Sequence, residues 1–376
     1  MIHIVGGGIH GCFFAIALQS ELGIPHSHIR IYDPHPFLMY NWIRRTRACS
    51  MQYLRSNSSQ SIHVDMNALR NFARASGIDP WNSDHFALPY HRPSIALFNE
   101  YARHCLKKYR LPTLHVRHKI EKLLPEGGMI AEGRKISGIV IYTGARETLR
   151  LPPEARKADN IVHVFSKEFY RIMDDIPSNP IIVGGGISAL QLTLALAKQK
   201  KQPSLITRRP MEIFRFDFNP QYIGSIGMSE LDTLEKSKNG MQLRMEKILA
   251  NRFTGTIPPE LANEFQKLCA EKAAHHAIVP NENTRLELMK SAKIALFCGG
   301  FAKAEKNSAP DPILERPGQT FVHGHPILKK DLQWGNGIFI SGKNAMYRIG
   351  PAAPNIIGAH LAWRIIRRQF CKMREC

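Results

Sequence analysis

Two glycine-rich turns, built alike and far apart, limit what this chain can fold into more than any other feature. The first is Gly6-x-Gly8-x-x-Gly11, in the stretch HIVGGGIHGC. It follows a short apolar strand, Ile2 to Val5, and opens an apolar-periodic helix from about Ile9 to Leu22. A second strand, Ile29 to Tyr32, ends at Asp33. Strand, turn, helix and strand in that order form the opening of a dinucleotide-binding unit. The first glycine permits the tight turn and the second lets the backbone approach a pyrophosphate. The third allows helix to pack closely on strand, and the helix N-terminus supplies amide donors. Asp33 stands where a carboxylate accepts hydrogen bonds from a ribose 2′-hydroxyl.

At Pro180 the pattern starts again. Ile181 to Val183 is a strand, Gly184-x-Gly186-x-Ser188-Ala189 the turn, Ile187 to Gln199 the helix and Ser204 to Thr207 the next strand. That last strand runs into Arg208 and Arg209 where the first unit has its acid. An acid repels a 2′-phosphate, whereas paired arginines grip it. The first turn therefore suits FAD or NAD and the second suits NADPH. The competing reading of the two arginines is a solvated loop in a basic protein. Two nucleotides held in one chain point to hydride transfer from a nicotinamide to a flavin.

The remainder fills in around these units. Pro34 to Tyr170 reads as mixed, with a helix over Leu97 to Tyr109 and short strands around Leu114 to Val116 and Ile136 to Tyr142. Gly127, Gly128, Gly133 and Gly144 punctuate it as antiparallel turns. Ser229 to Met289 reads as mainly helical, with His275 and His276 on a helix. A strand over Ile294 to Phe297 runs into Cys298-Gly299-Gly300, another over Gly337 to Ile340 runs into Ser341-Gly342, and a helix from about Asn355 to Phe370 follows. The expected fold is α/β with two Rossmann-like dinucleotide-binding domains. An NADPH domain over 176–292 is inserted in a discontinuous FAD domain over 1–175 and 293–376.

Composition narrows the class. The 376 residues carry a formal net charge of +20, with the basic residues scattered rather than gathered in one tract. Such a balance favours anionic partners: phosphorylated cofactors, nucleic acid or an acidic membrane surface. No stretch reaches the ~18 apolar residues a membrane span needs, and the N-terminus lacks a basic leader. The seven cysteines form no Cys-x-x-Cys, and Cys371 with Cys376 has neither redox nor common zinc spacing. Free thiols in a reducing cytoplasm are expected, with no dithiol redox centre. His275-His276 and His323-x-His325 do not make the three or four ligands a metal site needs.

The sequence resembles the flavoproteins with two dinucleotide-binding domains, and among them the flavin-dependent N-hydroxylating monooxygenases. HVFSKEFYRI before the second turn, Ser188 and Ala189 within it, and more loosely WIRRTRACSMQYLRS carry the likeness. The resemblance implies that IALFCGGF, with Gly299, is the second glycine strand of the FAD part. It implies also that GIFISGKNAMYRIGPAAPNIIGAHLA is the C-terminal flavin segment, with Gly342, Gly350 and Asn355 at the cofactor. The usual Gly-Asp is here Gly342-Lys343. Trp42 would lie over the flavin, and Arg44, Arg47 and Arg55 would bind an anionic substrate carboxylate, FAD phosphates or only solvent. The implied activity uses FAD, NADPH and O2 to hydroxylate a small-molecule nucleophile through a flavin hydroperoxide. The cofactor performs the hard step, so no catalytic triad is expected. Two alternatives stay open: a flavoprotein acting on tRNA or another polyanion, and a degenerate nucleotide-binding effector module.

Overall fold

Each glycine turn ends an interior strand of its own sheet. The structure is a computed structural model describing residues 1–81, 84–145, 147–302 and 309–375, with side chains described to Cys371; Cys376 lies outside the described residues. It is a mixed α/β protein. The first sheet has six strands in the order Gln333–Gly335, Ile338–Ile340, Ile139–Tyr142, Ile2–Val5, Ile29–Tyr32 and His115–Val116. All neighbours are parallel except Gln333–Gly335 against Ile338–Ile340. The second sheet has five parallel strands, ordered Ile161–His163, Ala295–Phe297, Ile181–Val183, Ser204–Thr207 and His275–Ile278.

Burial on both faces explains the parallel pairing. Ile2–Val5 is buried throughout, as continuous apolar strands covered by helices should be. Helix Ile9–Ser20 lies against this sheet and against helix Ile356–Glu375, through Phe13 on His360 and Phe14 on Trp363. A separate core joins helices Ile187–Lys198 and Pro259–Ala270 to the second sheet. A small antiparallel sheet over Lys122–Leu123, Met129–Ala131 and Arg134–Ile136 turns at the expected glycines. Among the described residues no helix is long and apolar enough to cross a membrane.

Three placements differ from the sequence reading. Ile161–His163 and Ala295–Phe297, read within the first and third chain segments, both hydrogen-bond into the second sheet. His275 and His276 lie on a strand rather than a helix. All four residues of that strand are exposed at the sheet edge, so no apolar alternation marks it, and pairing with Ser204–Thr207 decides the conformation.

The hydrogen bonds around the two turns repeat. Gly6 N donates to Tyr32 O at 2.8 Å and Thr143 N to Val5 O at 2.9 Å. Gly184 N donates to Ile206 O at 3.0 Å and Cys298 N to Val183 O at 2.8 Å. Thr143-Gly144 thus does for the first turn what Cys298-Gly299 does for the second. The assignment of Gly299 to the FAD part is corrected accordingly: its strand pairs with Ile181–Val183, and the matching place in the first sheet belongs to Ile139–Tyr142.

Candidate functional site

At the first turn the glycines divide into those the fold needs and one it leaves open. A Cβ on Gly11 would stand 1.8 Å from Gly6 O, and one on Gly6, at φ 104°, would stand 2.7 Å from Thr143 Oγ1. A Cβ on Gly8 would meet nothing within 4 Å. Gly8 is exposed and caps helix Ile9–Ser20 with extended backbone. The space before it is therefore free for a ligand at a helix N-terminus, where amides favour a phosphate. Asp33 Oδ2 accepts from Gly7 N at 2.6 Å, and Oδ1 accepts from His35 N at 2.9 Å and lies 2.7 Å from His35 Nδ1. The cradle and its acid fit a dinucleotide.

Beside this turn lies His10, which the sequence reading passed over. Its Nδ1 is 3.0 Å from Ser341 Oγ and its Nε2 is 2.9 Å from Asn355 O, joining the first helix to the C-terminal segment. Burial pushes its pKa down to about 4, so it is neutral at pH 7. Gly342, at φ 72°, adjoins the same group: a Cβ there would stand 3.4 Å from Thr143 O and 3.8 Å from His10 Nδ1. Asn355 spends its side chain on protein partners. Its Nδ2 donates to Asp217 at 3.0 and 2.9 Å, and its Oδ1 accepts from Arg252 Nη1 at 2.9 Å. Gly350 sits at φ 86° near Met228, Leu231 and Tyr222, as a turn glycine.

The second turn opens on a cleft of about 1460 Å³. Gly184, Gly186, Ser188, Arg208, Arg209 and Gly299 line it. Nothing would obstruct a Cβ on Gly185, whereas one on Gly184 would lie 3.3 Å from Ala189 Cβ. Arg209 Nη2 pairs with Glu212 Oε1 at 2.8 Å, while Arg208 has no ion pair among the described residues. Arg252 to Gly255 form a further wall, and beyond it the cleft reaches Lys343, Met346 and Pro354 beside the first turn's C-terminal segment. These walls fit a second dinucleotide.

The arginine group does not assemble. Arg44 stacks over Tyr170, with Cζ 3.6 Å from the ring centroid. Arg47 pairs with Asp174 at 3.0 Å on an exposed surface. Arg55 donates to Arg215 O, Phe214 O, Thr256 O and Thr256 Oγ1, fastening its loop to the 214–256 region. Trp42 donates from Nε1 to Asn99 Oδ1 at 2.9 Å and packs on Phe98. None of these four lines the large cleft. Trp42, Arg47 and Arg55 donate to protein partners and Arg44 stacks on a protein ring, since this segment packs against helix Ile95–Lys108 and the second sheet's loops. The cysteines near the second turn are desolvated: burial raises the Cys298 thiol and pushes Cys49 up to about 11.

Sequence reasoning missed Thr143-Gly144, His10 and Arg252. The first was legible in IVIYTG, an apolar run ending in a small residue and glycine. The other two depend on contacts between distant segments.

No protein-family model matches the chain, and no curated protein matches it by sequence. Solved structures match over nearly its full length. The ornithine N-hydroxylase of Kutzneria sp. 744, solved with reduced FAD, NADP⁺ and L-ornithine, is 11% identical with a TM-score of 0.68, covering 100% of this chain and 99% of that one. The L-lysine 6-monooxygenase of Pseudomonas syringae is 12% identical with a TM-score of 0.67, covering 99% of each chain. The bacillithiol disulfide reductase of Bacillus cereus is 13% identical, with a TM-score of 0.55 over 99% of each. In fold, this chain is similar to the FAD-dependent N-hydroxylating monooxygenases and, at lower TM-score, to the flavoprotein disulfide reductases.

Proposed function

We propose that this protein is an FAD- and NADPH-dependent oxidoreductase of the N-hydroxylating monooxygenase kind, acting on a small amine with O2. One observation carries the reading: a single cleft runs from Arg208 at the second glycine turn to Lys343 and Pro354 beside the first. A nicotinamide and a flavin held at the two turns would meet there. In this reading the chain has two Rossmann-like domains, the NADPH domain inserted in the FAD domain. FAD, when bound, would accept hydride from NADPH and supply the oxygen chemistry.

The chain's own residues bind, orient and enclose. Gly8 opens the helix N-terminus to a pyrophosphate and Asp33 presents a carboxylate to a ribose. Gly342 adjoins Thr143 and His10 at that turn, and Lys343 next to it lines the cleft. Gly184 to Ser188 receive the second pyrophosphate, and Arg208 offers a guanidinium to a 2′-phosphate. The dithiol chemistry of disulfide reductases is disfavoured, because no Cys-x-x-Cys exists and the thiols near the cleft are held protonated by burial.

The reading is tested by supplying the FAD-loaded protein with NADPH, O2 and a panel of small amines, including ornithine, lysine and cadaverine. A hydroxylamine product formed in step with NADPH consumption is expected for at least one amine. Hydrogen peroxide as the sole oxygen product across the panel would contradict the monooxygenase assignment.

A further inference from the structure

His325 is buried at 2% exposure, yet neither of its ring nitrogens has a hydrogen-bond partner. The backbone of Lys343 approaches the ring without completing a bond of normal geometry. Each of the other buried histidines has at least one bonded ring nitrogen, although His3 Nδ1 also lacks a partner. His3 Nε2 meets Ser137 O at 3.2 Å, His360 Nε2 meets Ser61 O at 2.8 Å, and His163 uses both nitrogens, on Gly300 O and Phe165 N. A buried imidazole with two orphan polar atoms is an exception that calls for a partner.

Its placement is firm. His325 pairs with Val322 across a hairpin whose two turn residues, His323 at φ 50° and Gly324 at φ 74°, are both left-handed. Such a turn fixes register and therefore side-chain direction. His325 lines the cleft together with Lys343, Met346 and Pro354, at the end opposite Arg208. That end belongs to the first glycine turn, through Gly342 and His10. Burial and the Lys343 charge keep the ring neutral at pH 7, so it offers one N–H and one lone pair. An isoalloxazine presents carbonyl and ring-nitrogen acceptors together with one N–H donor. A nicotinamide at the second turn would lie toward the other end.

We infer that His325 is a flavin-positioning residue that hydrogen-bonds the isoalloxazine ring of FAD held in the cleft. This rests on the proposed FAD site at the first turn. The test compares wild type, His325→Leu and His325→Gln, each as apoprotein and after FAD reconstitution. The expected result is at least tenfold weaker FAD binding and altered flavin absorption bands in His325→Leu, with partial recovery in His325→Gln. The His325→Leu apoprotein should melt no lower than wild type, since the replaced ring satisfies nothing there. Unchanged affinity and spectrum in His325→Leu, or a lowered apoprotein melting temperature, would overturn the inference alone. A wild-type protein that takes up no FAD would overturn the underlying site as well.

Discussion

The amide of Gly7 donates to Asp33 Oδ2 at 2.6 Å, so the acid ending the second strand is fastened to the first glycine turn. Asp33 therefore shapes the cradle as well as facing it. Asp33→Ala removes hydrogen bonds to a charged group, each worth ~1.5–3 kcal/mol. With at least two such bonds lost, the apoprotein should lose about 3 kcal/mol or more in urea unfolding, and FAD should dissociate more readily. Undiminished FAD affinity would argue against the ribose contact.

Gly8 and Gly11 separate binding from folding. Gly8→Ala places a methyl in open space with ordinary backbone angles, so the apoprotein should melt like wild type while FAD retention falls. Gly11→Ala drives a carbon to within 1.8 Å of Gly6 O and should lower the melting temperature sharply. Equal melting behaviour in the two variants would contradict the packing described.

Arg208 and Arg209 are not equivalent. Arg209 already faces Glu212 at 2.8 Å, so Arg208 should carry most of the 2′-phosphate recognition. Arg208→Ala is expected to raise the NADPH Michaelis constant about tenfold, a loss of ~1.4 kcal/mol, with little change for NADH. Arg209→Ala should do less. Steady-state kinetics with both nucleotides decide this, and equal effects on NADPH and NADH would refute the assignment.

Acid should weaken the fold through its buried histidines. Burial holds His10, His163 and His325 near 4, below the ordinary 6.5. Above pH 6.5 these groups are neutral folded or unfolded. Between 6.5 and about 4 the unfolded chain takes up protons that the folded chain refuses, so stability falls as pH drops through that window. Each group adds a slope of up to ~1.4 kcal/mol per pH unit. Urea midpoints at pH 7 and pH 5 should show the loss, and His163→Gln should show a shallower one.

The local units were readable because local pattern sets them. Ile2–Val5, Ile29–Tyr32, Ile181–Val183 and Ser204–Thr207 lie where apolar runs and glycine turns place them. Strand membership was less readable. Ala295–Phe297 and Ile139–Tyr142 are both apolar runs into glycine, and only long-range pairing shows which serves which sheet. The exposed edge strand at His275 carried no apolar alternation. At the site, Gly8, Asp33 and Arg208 follow from motif spacing. The partners of Arg55, Asn355 and His10 do not, since their bonds cross well over a hundred residues of chain. A lone arginine or asparagine in a sequence does not reveal whether its donors are already spent.

The central claim is that two nucleotides meet in one cleft. Its most direct test is the visible spectrum of the FAD-reconstituted protein under anaerobic conditions, before and after NADPH or NADH. The account predicts an oxidised flavin spectrum that NADPH bleaches faster than NADH. A protein that takes up no flavin, or whose bound flavin neither nucleotide reduces, would contradict it.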